Sequence, residues 1–351
     1  MSEPLSERYG APWTRGADMA KKSRYMIVTP MKNEGPYILD WVAHHMALGF
    51  DHFFVVTNDC DDGTDRILDR LAEMGHVTHV PNPRMLKRSQ GAWHVMALRY
   101  AALFNIYRDA DWIMFSDVDE YLQVNTRTKT LDGFLDRVGK TDVISFTSIP
   151  YNSNGQKAFV DAPLVGQFTE RNKGYEAARA VGKTLSNAVK TMFRNEVPFT
   201  RRRNHRPLLA EFSQTGFVWR DGSGSVLDAD YTDGGAKAID AVSTVQFAQL
   251  NHYAIRSMEA FLVKVDRGDA VLTERLGASV NYWKGYNTPG DVDLRYVTPS
   301  PLTRKIRAGF ARDPELAEWH AFAVAAHKAK VAQILGTEEG RMIAEKIGYF
   351  S

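Results

Sequence analysis

The chain has 351 residues, of which 44% are hydrophobic and 25% charged, as in an ordinary soluble globular protein. Its 44 basic and 42 acidic side chains give a net charge of +2, which argues against a protein that mainly coats nucleic acid. The single cysteine, Cys60, excludes an internal disulfide and a thiolate metal cluster, and it favours a reducing compartment.

No apolar run is long enough to cross a bilayer. The first segment, residues 1–24, is polar and carries scattered proline and glycine, so we expect an extended lead-in rather than a signal peptide. The predicted location is therefore the cytoplasm, with at most peripheral contact with the inner face of a membrane.

Short apolar runs and amphipathic segments alternate from Tyr25 onward. We predict strands in the apolar runs and helices where apolar residues recur on one face. In chain order the prediction is strand 25–29, helix 36–48, strand 53–56, helix 64–74, strand 77–80, helix 91–107 and strand 112–115. Apolar strands that need cover on both faces indicate an α/β structure with a mostly parallel sheet.

The pattern changes after Gly139. Strands are predicted at 143–147, 189–193 and 246–253, and long polar loops fill much of the stretch from 151 to 235. Long loops in a compact domain usually bind a ligand or cover a site. A helix capped by Ser257 and ended by Gly268 follows, and the chain from 301 onward is predicted to be helical. The sequence therefore predicts a mixed region of strands, helices and loops from Tyr25 onward, followed by C-terminal helices.

Acidic and amide side chains follow three of the predicted strands, at Asn33-Glu34, Asn58-Asp59 and Asp117-Val118-Asp119. Open parallel sheets bind ligands at the carboxyl ends of their strands. Because side chains alternate along a strand, Asp117 and Asp119 can converge on one point. Two adjacent carboxylates repel unless a cation or proton lies between them, and Mg²⁺ or Mn²⁺ would suit these oxygen ligands. Such an ion would neutralise the charge of a diphosphate leaving group.

Two other interpretations of the Asp-x-Asp pair remain open. It could be a solvated turn after a strand, although the acidic loops at the same sheet edge favour a site. It could belong to a phosphatase of the haloacid-dehalogenase type, in which the first Asp is the nucleophile. That type has Thr or Val two residues after the second Asp, where this chain has Tyr121. The GxxxxGK[ST] phosphate-binding loop is absent from the sequence.

Several segments, in order and spacing, resemble bacterial glycosyltransferases of the GT-A fold, in the family-2-like branch related to glycosyltransferase family 92. The segments are 28–34, 41–45, 49–50, 55–64 and 115–122, then 151–156, Val189-Lys190 with His205, and 251–253 with Phe261, Lys264, Arg267 and Gly268. The resemblance implies a Rossmann-like, mostly parallel sheet flanked by helices, with a C-terminal helical extension. It sets the bounds of the domain at 25–298, with a nucleotide-sugar half over 25–125 and an acceptor half over 140–298, and those of the C-terminal helices at 299–351.

The resemblance implies a nucleotide-sugar donor, most often a UDP-sugar, and a divalent metal, Mn²⁺ or Mg²⁺. The residues it assigns to the nucleotide are Thr29, Pro30, Met31, Asn33 and Glu34, with Asn58 and Asp59 near the base or ribose. Asp117 and Asp119 would hold the metal and the diphosphate or ribose. His252 is the candidate third metal ligand, since an imidazole suits Mn²⁺. The alternative for His252 is a core histidine bonded to the backbone.

Inverting members of the branch use a carboxylate that accepts the proton of the acceptor hydroxyl. No clear motif marks this base here. Glu170 and Glu211 are the candidates, with Asp221 behind them, and each could instead be an ordinary surface carboxylate.

A basic run and several aromatic residues are further candidates. Arginines bind phosphate bidentately, so the run could hold the donor diphosphate or an anionic acceptor, or it could be a solvated loop. The aromatic residues could stack on sugar rings or lie in the core. The basic run comprises Arg194, Arg201, Arg202, Arg203, His205 and Arg206, and the aromatic residues are Trp219, Tyr282, Trp283 and Tyr286.

The sequence therefore predicts a metal-dependent glycosyltransferase that moves a sugar from a nucleotide-sugar to a hydroxyl of a glycan or lipid acceptor. One alternative is another metal-dependent nucleotide enzyme, a nucleotidyltransferase or a phosphatase. A second is a carbohydrate-binding relic of the fold without catalysis.

Overall fold

The computed structural model describes residues 23–83, 93–172, 189–233, 245–268 and 275–351. The predicted lead-in over 1–24 lies almost wholly outside these ranges. The first elements alternate as predicted: β1 (Tyr25–Met31), α1 (Gly35–Leu48), β2 (His52–Thr57), α2 (Thr64–Glu73), β3 (Val77–Pro81), α3 (Trp93–Ala101), α4 (Asn105–Asp109) and β4 (Trp112–Phe115).

The later elements mix strands and helices before a helical end. They are β5 (Glu120–Val124), α5 (Leu131–Val138), β6 (Val143–Pro150), the short α6 (Leu164–Gln167), β7 (Val189–Arg194), β8 (Trp219–Asp221), α7 (Ala229–Thr232), β9 (Ala248–His252), α8 (Met258–Arg267), α9 (Arg275–Tyr286), α10 (Pro301–Phe310), α11 (Pro314–Leu335) and α12 (Glu338–Lys346). Within the described ranges, no helix is both long and apolar enough to span a membrane.

The strands of the described residues form a nine-stranded sheet in the order β3-β2-β1-β4-β7-β6-β9-β5, with β8 also paired to β6. β3, β2, β1 and β4 run parallel to one another. β7 is antiparallel to β4 and β6, and β5 is antiparallel to β9, whereas β8 and β9 run parallel to β6. The predicted mostly parallel sheet flanked by helices is confirmed.

β6 pairs with β7 and also with two further strands, one after the other along its length. Its first part pairs with β8 through Val143 to Ser145, and its last part pairs with β9 through Ser148 to Pro150. β9 in turn pairs with β5, with His252 opposite Glu120. Because β5 begins one residue after Asp119, this pairing brings His252 beside the Asp-x-Asp segment.

The core lies on both faces of the sheet. On β2, Phe53 and Val55 enter one apolar cluster and Phe54 and Val56 enter the other, and all four side chains are fully buried. A strand buried on both faces reads as a continuous apolar run, which explains why these strands were predictable. The first cluster also includes Ala323 of α11, so the C-terminal helices pack on the domain.

Two boundary predictions were wrong. The helix predicted over 91–107 is two helices in its described part, because the backbone is extended at Phe104, whose ring packs on Phe54 at a centroid distance of 4.8 Å. β1 was expected to stop before Pro30 but continues to Met31. At Pro30 the strand pairs with β2, whereas its pairing with β4 ends at Val28, so the missing N–H of the proline removes no bond on that side.

Candidate active site

Asp117 and Asp119 lie in the tight turn between β4 and β5. The Glu120 N–H donates to the Asp117 carbonyl at 3.0 Å, and the Tyr253 N–H donates to the Asp119 carbonyl at 2.8 Å. The Asp117 side chain is 28% exposed and the Asp119 side chain 10% exposed. The turn therefore holds both carboxylates at the carboxyl edge of β4, as the sequence predicted.

Lys190 lies beneath Asp117 because β7 is antiparallel to β4 and begins where β4 ends. Its fully buried ammonium is 2.7 Å from Asp117 Oδ2, 3.2 Å from Glu120 Oε2 and 2.7 Å from Asn204 Oδ1. Burial raises the pKa of the Glu120 carboxyl, and the Lys190 charge opposes that shift. Burial opposes the charge of Lys190, but Asp117 and Glu120 raise its pKa above the ordinary value. We call Asp117, Glu120, Lys190 and Asn204 the Lys190 arm.

Asp119 faces a different pair of side chains, Lys264 and His252. Lys264 of α8 donates to Asp119 Oδ2 at 2.9 Å and to the Ala254 carbonyl at 2.8 Å. His252 Nε2 lies 3.7 Å from Asp119 Oδ1. Burial opposes ionisation of Asp119, but Lys264 and His252 outweigh it and hold the pKa of this carboxyl well below its ordinary value. We call Asp119, Lys264 and His252 the Lys264 arm.

The donor atoms of the Lys264 arm fit a divalent ion. The 3.7 Å separation of His252 Nε2 and Asp119 Oδ1 is too long for a hydrogen bond, while Lys264 occupies only the other carboxylate oxygen. Imidazole nitrogen and carboxylate oxygen are both ligands of Mn²⁺. Among the described residues, however, no group of three or more His, Cys, Asp or Glu side chains converges as a complete metal site. The described residues therefore offer two ligands, Asp119 Oδ1 and His252 Nε2, and the remaining ligands of such an ion would come from elsewhere.

Glu34 joins the loop after β1 to α8. It is buried, accepts a bond from Arg256 Nη1 at 2.9 Å and forms an ion pair with Arg267. Arg267 Nη1 also donates to the carbonyls of Lys32 and Asn33 at 3.0 and 3.1 Å. Glu34 is thus held by arginines, and its predicted contact with the nucleotide stays a prediction.

The other residues predicted to flank the nucleotide differ in their exposure. Thr29 and Met31 are buried, and Met31 lies in the core. Asn33 has a positive φ of 50° and joins two loops, with its amide nitrogen 2.6 Å from Asp61 Oδ1. Pro30 is partly exposed.

The loop after β2 keeps Asp59 exposed at the sheet edge, while Asn58 is buried and donates to Asp59 Oδ2 at 3.1 Å.

The candidate bases fall in different places. Asn152 Nδ2 donates to Glu170 Oε2 at 3.0 Å, and Tyr151, the next residue back, donates its N–H to the His252 carbonyl at 3.0 Å. Glu170 therefore lies beside the strand end that carries His252. Glu211 is exposed, and the 3₁₀ turn that follows it packs by Phe212 against Trp219 in the second core cluster. Glu170 is thus connected to the Lys264 arm through Asn152 and Tyr151, whereas Glu211, among the described residues, is not.

Asp221, the residue considered behind the two glutamates, is buried within a turn. Its Oδ1 accepts the N–H groups of Ser223 and Ser225 at 2.8 and 2.9 Å. These bonds shape the turn after β8.

The predicted basic run does not act as one cluster. Arg194 pairs opposite Trp112 at the start of β4, away from Asp117, and is 3.5 Å from Asp142. Arg206 is fully buried, lies over the Trp219 ring at 5.3 Å and donates to the Thr232 carbonyl at 3.1 Å. These two arginines stabilise the fold.

His205 lies nearer the site. Its carbonyl accepts from Thr191 Oγ1 at 2.8 Å, next to Lys190. Burial, together with the Lys190 charge, lowers the pKa of His205 to about 4, so its imidazole is neutral at neutral pH.

The aromatic candidates also separate. Trp219 and Trp283 are buried in apolar clusters, whereas Tyr282 and Tyr286 of α9 are partly exposed. The Tyr286 ring lies 5.6 Å from the His252 ring, and Lys264 Nζ lies 5.6 Å from the centre of Tyr282. The two tyrosines therefore adjoin the Lys264 arm.

Sequence reasoning did not assign Lys190, Lys264, Glu120 or Arg256 to the site. Two signals were available. Lys190 is a charged residue within an apolar strand, where a lysine needs a buried partner. Lys264 and Arg267 are three residues apart on α8, so they project from one helix face. The partners of both lysines are distant in sequence, so the pairs themselves could not be predicted.

Comparison with known proteins identifies a family. The profile of glycosyltransferase family 92 matches residues 26–207, which is more than half of the chain. A family 92 protein of Ricinus communis is 24% identical over 180 residues, covering 48% of this chain and 31% of that protein. A family 92 protein of Oryza sativa subsp. japonica is 28% identical over 197 residues, covering 53% and 31%. The chain thus spans about a third of the length of these relatives.

Solved structures give weaker similarities. S. aureus TarS, solved in complex with UDP, has a TM-score of 0.29 and 16% identity, covering 49% of this chain and 46% of that chain. Glucosyl-3-phosphoglycerate synthase of Mycobacterium tuberculosis, solved with phosphoglyceric acid, has a TM-score of 0.27 and 14% identity, covering 49% and 57%. These TM-scores are too low to identify a relationship, and the family is identified by the sequence profile over residues 26–207. On that match, the chain belongs to glycosyltransferase family 92.

Proposed function

We propose that this chain is a glycosyltransferase that transfers a sugar from a UDP-sugar to a hydroxyl of a glycan or lipid acceptor, with inversion at the anomeric carbon. The supporting observation is the Lys264 arm, in which Asp119 Oδ1 and His252 Nε2 lie 3.7 Å apart at the edge of β4. Family membership supports the same reaction class. An anionic acceptor and peripheral contact with a membrane are further parts of the proposal.

Asp119 and His252 would supply two ligands to Mn²⁺ or Mg²⁺, which when bound would neutralise charge on the diphosphate. Asp117, the third predicted ligand, is held by Lys190 instead and does not converge with them in the described residues. The chain supplies positive charge of its own at this place. Lys264 is 15% exposed and lies 2.9 Å from Asp119, so its ammonium can contact a diphosphate that binds next to this carboxylate. Lys190 is fully buried, and its part is to hold Asp117 in place.

Glu170 is our proposed base. Its Oε2 accepts from Asn152 Nδ2 at 3.0 Å, and a carboxylate oriented in this way can take the proton of the acceptor hydroxyl as that oxygen attacks the anomeric carbon. The nucleoside diphosphate then leaves on the opposite side. Glu211, exposed and packed beside the second core cluster, is the less supported candidate.

The test is to identify the released product. The protein is incubated with UDP-, GDP- and CMP-sugars, with and without Mn²⁺ or Mg²⁺, and nucleoside diphosphate, nucleoside monophosphate, pyrophosphate and phosphate are measured separately. We expect UDP release from a UDP-sugar, loss of release in Asp119→Asn, and retention in Asp161→Asn, a control carboxylate beside His320 of α11.

Release of pyrophosphate or phosphate would instead indicate a nucleotidyltransferase or a phosphatase. Sugar binding that depends on neither nucleotide nor metal would indicate a carbohydrate-binding relic.

A further inference from the structure

Tyr282 and Tyr286 form a stacked aromatic pair on α9. Their ring centroids are 4.4 Å apart and their planes differ by 22°. Residues four apart on a helix share a face, and both rings are partly exposed. Trp283, the next residue along, is 3% exposed and packs on Phe261 in the core. Both tyrosines also pack against this core cluster, and the Tyr282 ring lies parallel to the Phe261 ring at a centroid distance of 6.3 Å. The Tyr282 ring therefore already has Phe261 and Tyr286 as aromatic neighbours, and Tyr286 is the ring that can take a further partner.

The pair completes a ring of contacts that begins and ends at Asp119. Lys264 Nζ is 2.9 Å from Asp119 Oδ2 and 5.6 Å from the centre of the Tyr282 ring. On the other side, the Tyr286 ring is 5.6 Å from the His252 ring, whose Nε2 is 3.7 Å from Asp119 Oδ1. The stacked rings thus border the carboxylate at which the proposed function puts the diphosphate.

The C-terminal end of α9 is tied firmly to the strand end beside Glu170. Asn172 Nδ2 donates to the Gly285 carbonyl at 2.6 Å. Asn152 Nδ2 donates both to the Thr288 carbonyl at 3.1 Å and to Glu170 Oε2 at 3.0 Å. These bonds hold the backbone around Tyr286 close to Glu170, so the tyrosine pair and the proposed base line the same part of the site.

A partly exposed tyrosine has an apolar face, and the apolar C–H face of a pyranose packs on such a ring. We propose that Tyr282 and Tyr286 form the subsite for the hexose ring of the donor, with Tyr286 as the stacking residue. The proposal rests on the proposed function.

The experiment separates the contribution of the sugar from that of the nucleotide. Dissociation constants of UDP and of UDP-glucose, UDP-galactose and UDP-N-acetylglucosamine are measured by calorimetry with Mn²⁺, for wild type, Tyr286→Leu and Tyr286→Phe. We expect Tyr286→Leu to lower the affinity for the preferred UDP-sugar, relative to UDP, by about tenfold. Tyr286→Phe keeps the ring, so this ratio should change by no more than about threefold.

Other outcomes would overturn the subsite. An unchanged ratio in Tyr286→Leu would show that the ring does not contact the sugar. Equal losses for UDP and UDP-sugar would show that the tyrosines only support Lys264 and His252. If wild type binds no nucleotide or nucleotide-sugar at all, the proposed function fails as well, which is a different result.

A measurement on wild type does not depend on the folding of a variant. Saturation-transfer NMR with irradiation of the aromatic protons should give signals at the hexose C–H protons of the bound UDP-sugar as well as at the uridine. Signals confined to the uridine would contradict the proposal.

Discussion

The two aspartates of the Asp-x-Asp turn stand in different surroundings. In the Lys190 arm the Asp117 side chain is 28% exposed, and the lysine beneath it is fully buried. In the Lys264 arm the carboxylate is only 10% exposed, and its lysine, at 15%, and His252, at 16%, are partly open. The Lys190 arm buries its lysine, and the Lys264 arm leaves its lysine and His252 partly accessible.

This difference separates two roles within one motif. The Lys190 ammonium contacts Asp117, Glu120 and Asn204 at once, so it has little freedom to turn toward a ligand. Lys264 contacts one carboxylate oxygen and one carbonyl, and the other oxygen of Asp119 faces His252. The Lys190 arm supports the turn, and the Lys264 arm is the part that we propose contacts the donor.

Removing the buried cation should have the largest effect. Lys190→Met leaves the Glu120 carboxylate buried and the Asp117 charge beside it without compensation. We expect the free energy of unfolding to fall by about 3–5 kcal/mol, measured by urea denaturation. Lys190→Met combined with Glu120→Gln should recover part of that loss. A single variant as stable as wild type would show that the arm does not support the fold.

The second effect concerns Glu170, the proposed base beside the Lys264 arm. Glu170→Gln should lower kcat for transfer by about 100-fold or more, because the acceptor hydroxyl loses its proton acceptor. The affinity for UDP should stay unchanged, since Glu170 is not proposed to contact the nucleotide. Glu211→Gln is the matched control and should keep full activity. Equal activity of the two variants would remove Glu170 from the mechanism.

A smaller effect is expected in the Lys264 arm, where the contribution of Asp119 to stability should depend on acid pH. Because the pKa of Asp119 is held below its ordinary value, its ionised form stabilises the fold above the unfolded pKa of about 3.9. That contribution disappears as the pH falls through the folded pKa. The stability difference between wild type and Asp119→Asn should therefore be constant near neutrality and shrink below about pH 4.

Denaturation series at several pH values measure that difference directly. A difference that already shrinks between pH 7 and pH 5 would contradict the depressed pKa.

The smallest expected effect is on stability in Asp117→Asn. Lys190 keeps Glu120 at 3.2 Å and Asn204 at 2.7 Å, and the substituted side chain is partly solvated. We expect a loss of about 1 kcal/mol or less in the free energy of unfolding, measured by urea denaturation. A loss as large as that of Lys190→Met would mean that Asp117, rather than Lys190, holds the turn together.

The first half of the fold was predictable because its signals are local. β2 is buried at every position and α2 has one apolar face, so each could be assigned from its own residues. β5 was missed because its buried positions include Glu120 and Gln123, which no apolar pattern indicates. Glu120 is buried because Lys190 pairs with it, and that contact depends on how β7 aligns with β4.

The same reasoning applies to the site. The positions of Asp117 and Asp119 follow from a strand that ends two residues earlier, so the sequence predicted the carboxylates. Their cations come from β7 and α8, which approach only through the sheet order, so Lys190 and Lys264 could not be paired with them beforehand. α9 was missed too, and with it the placement of Tyr286 beside His252.

The proposed function requires the Lys264 arm to bind the diphosphate of the donor. Calorimetric titration of UDP in the presence of Mn²⁺ measures this binding, with wild type, Asp119→Asn and the control Asp161→Asn. We expect UDP to bind wild type and Asp161→Asn equally, and Asp119→Asn to weaken binding by about tenfold or more. Equal affinity for UDP in all three proteins would contradict this expectation.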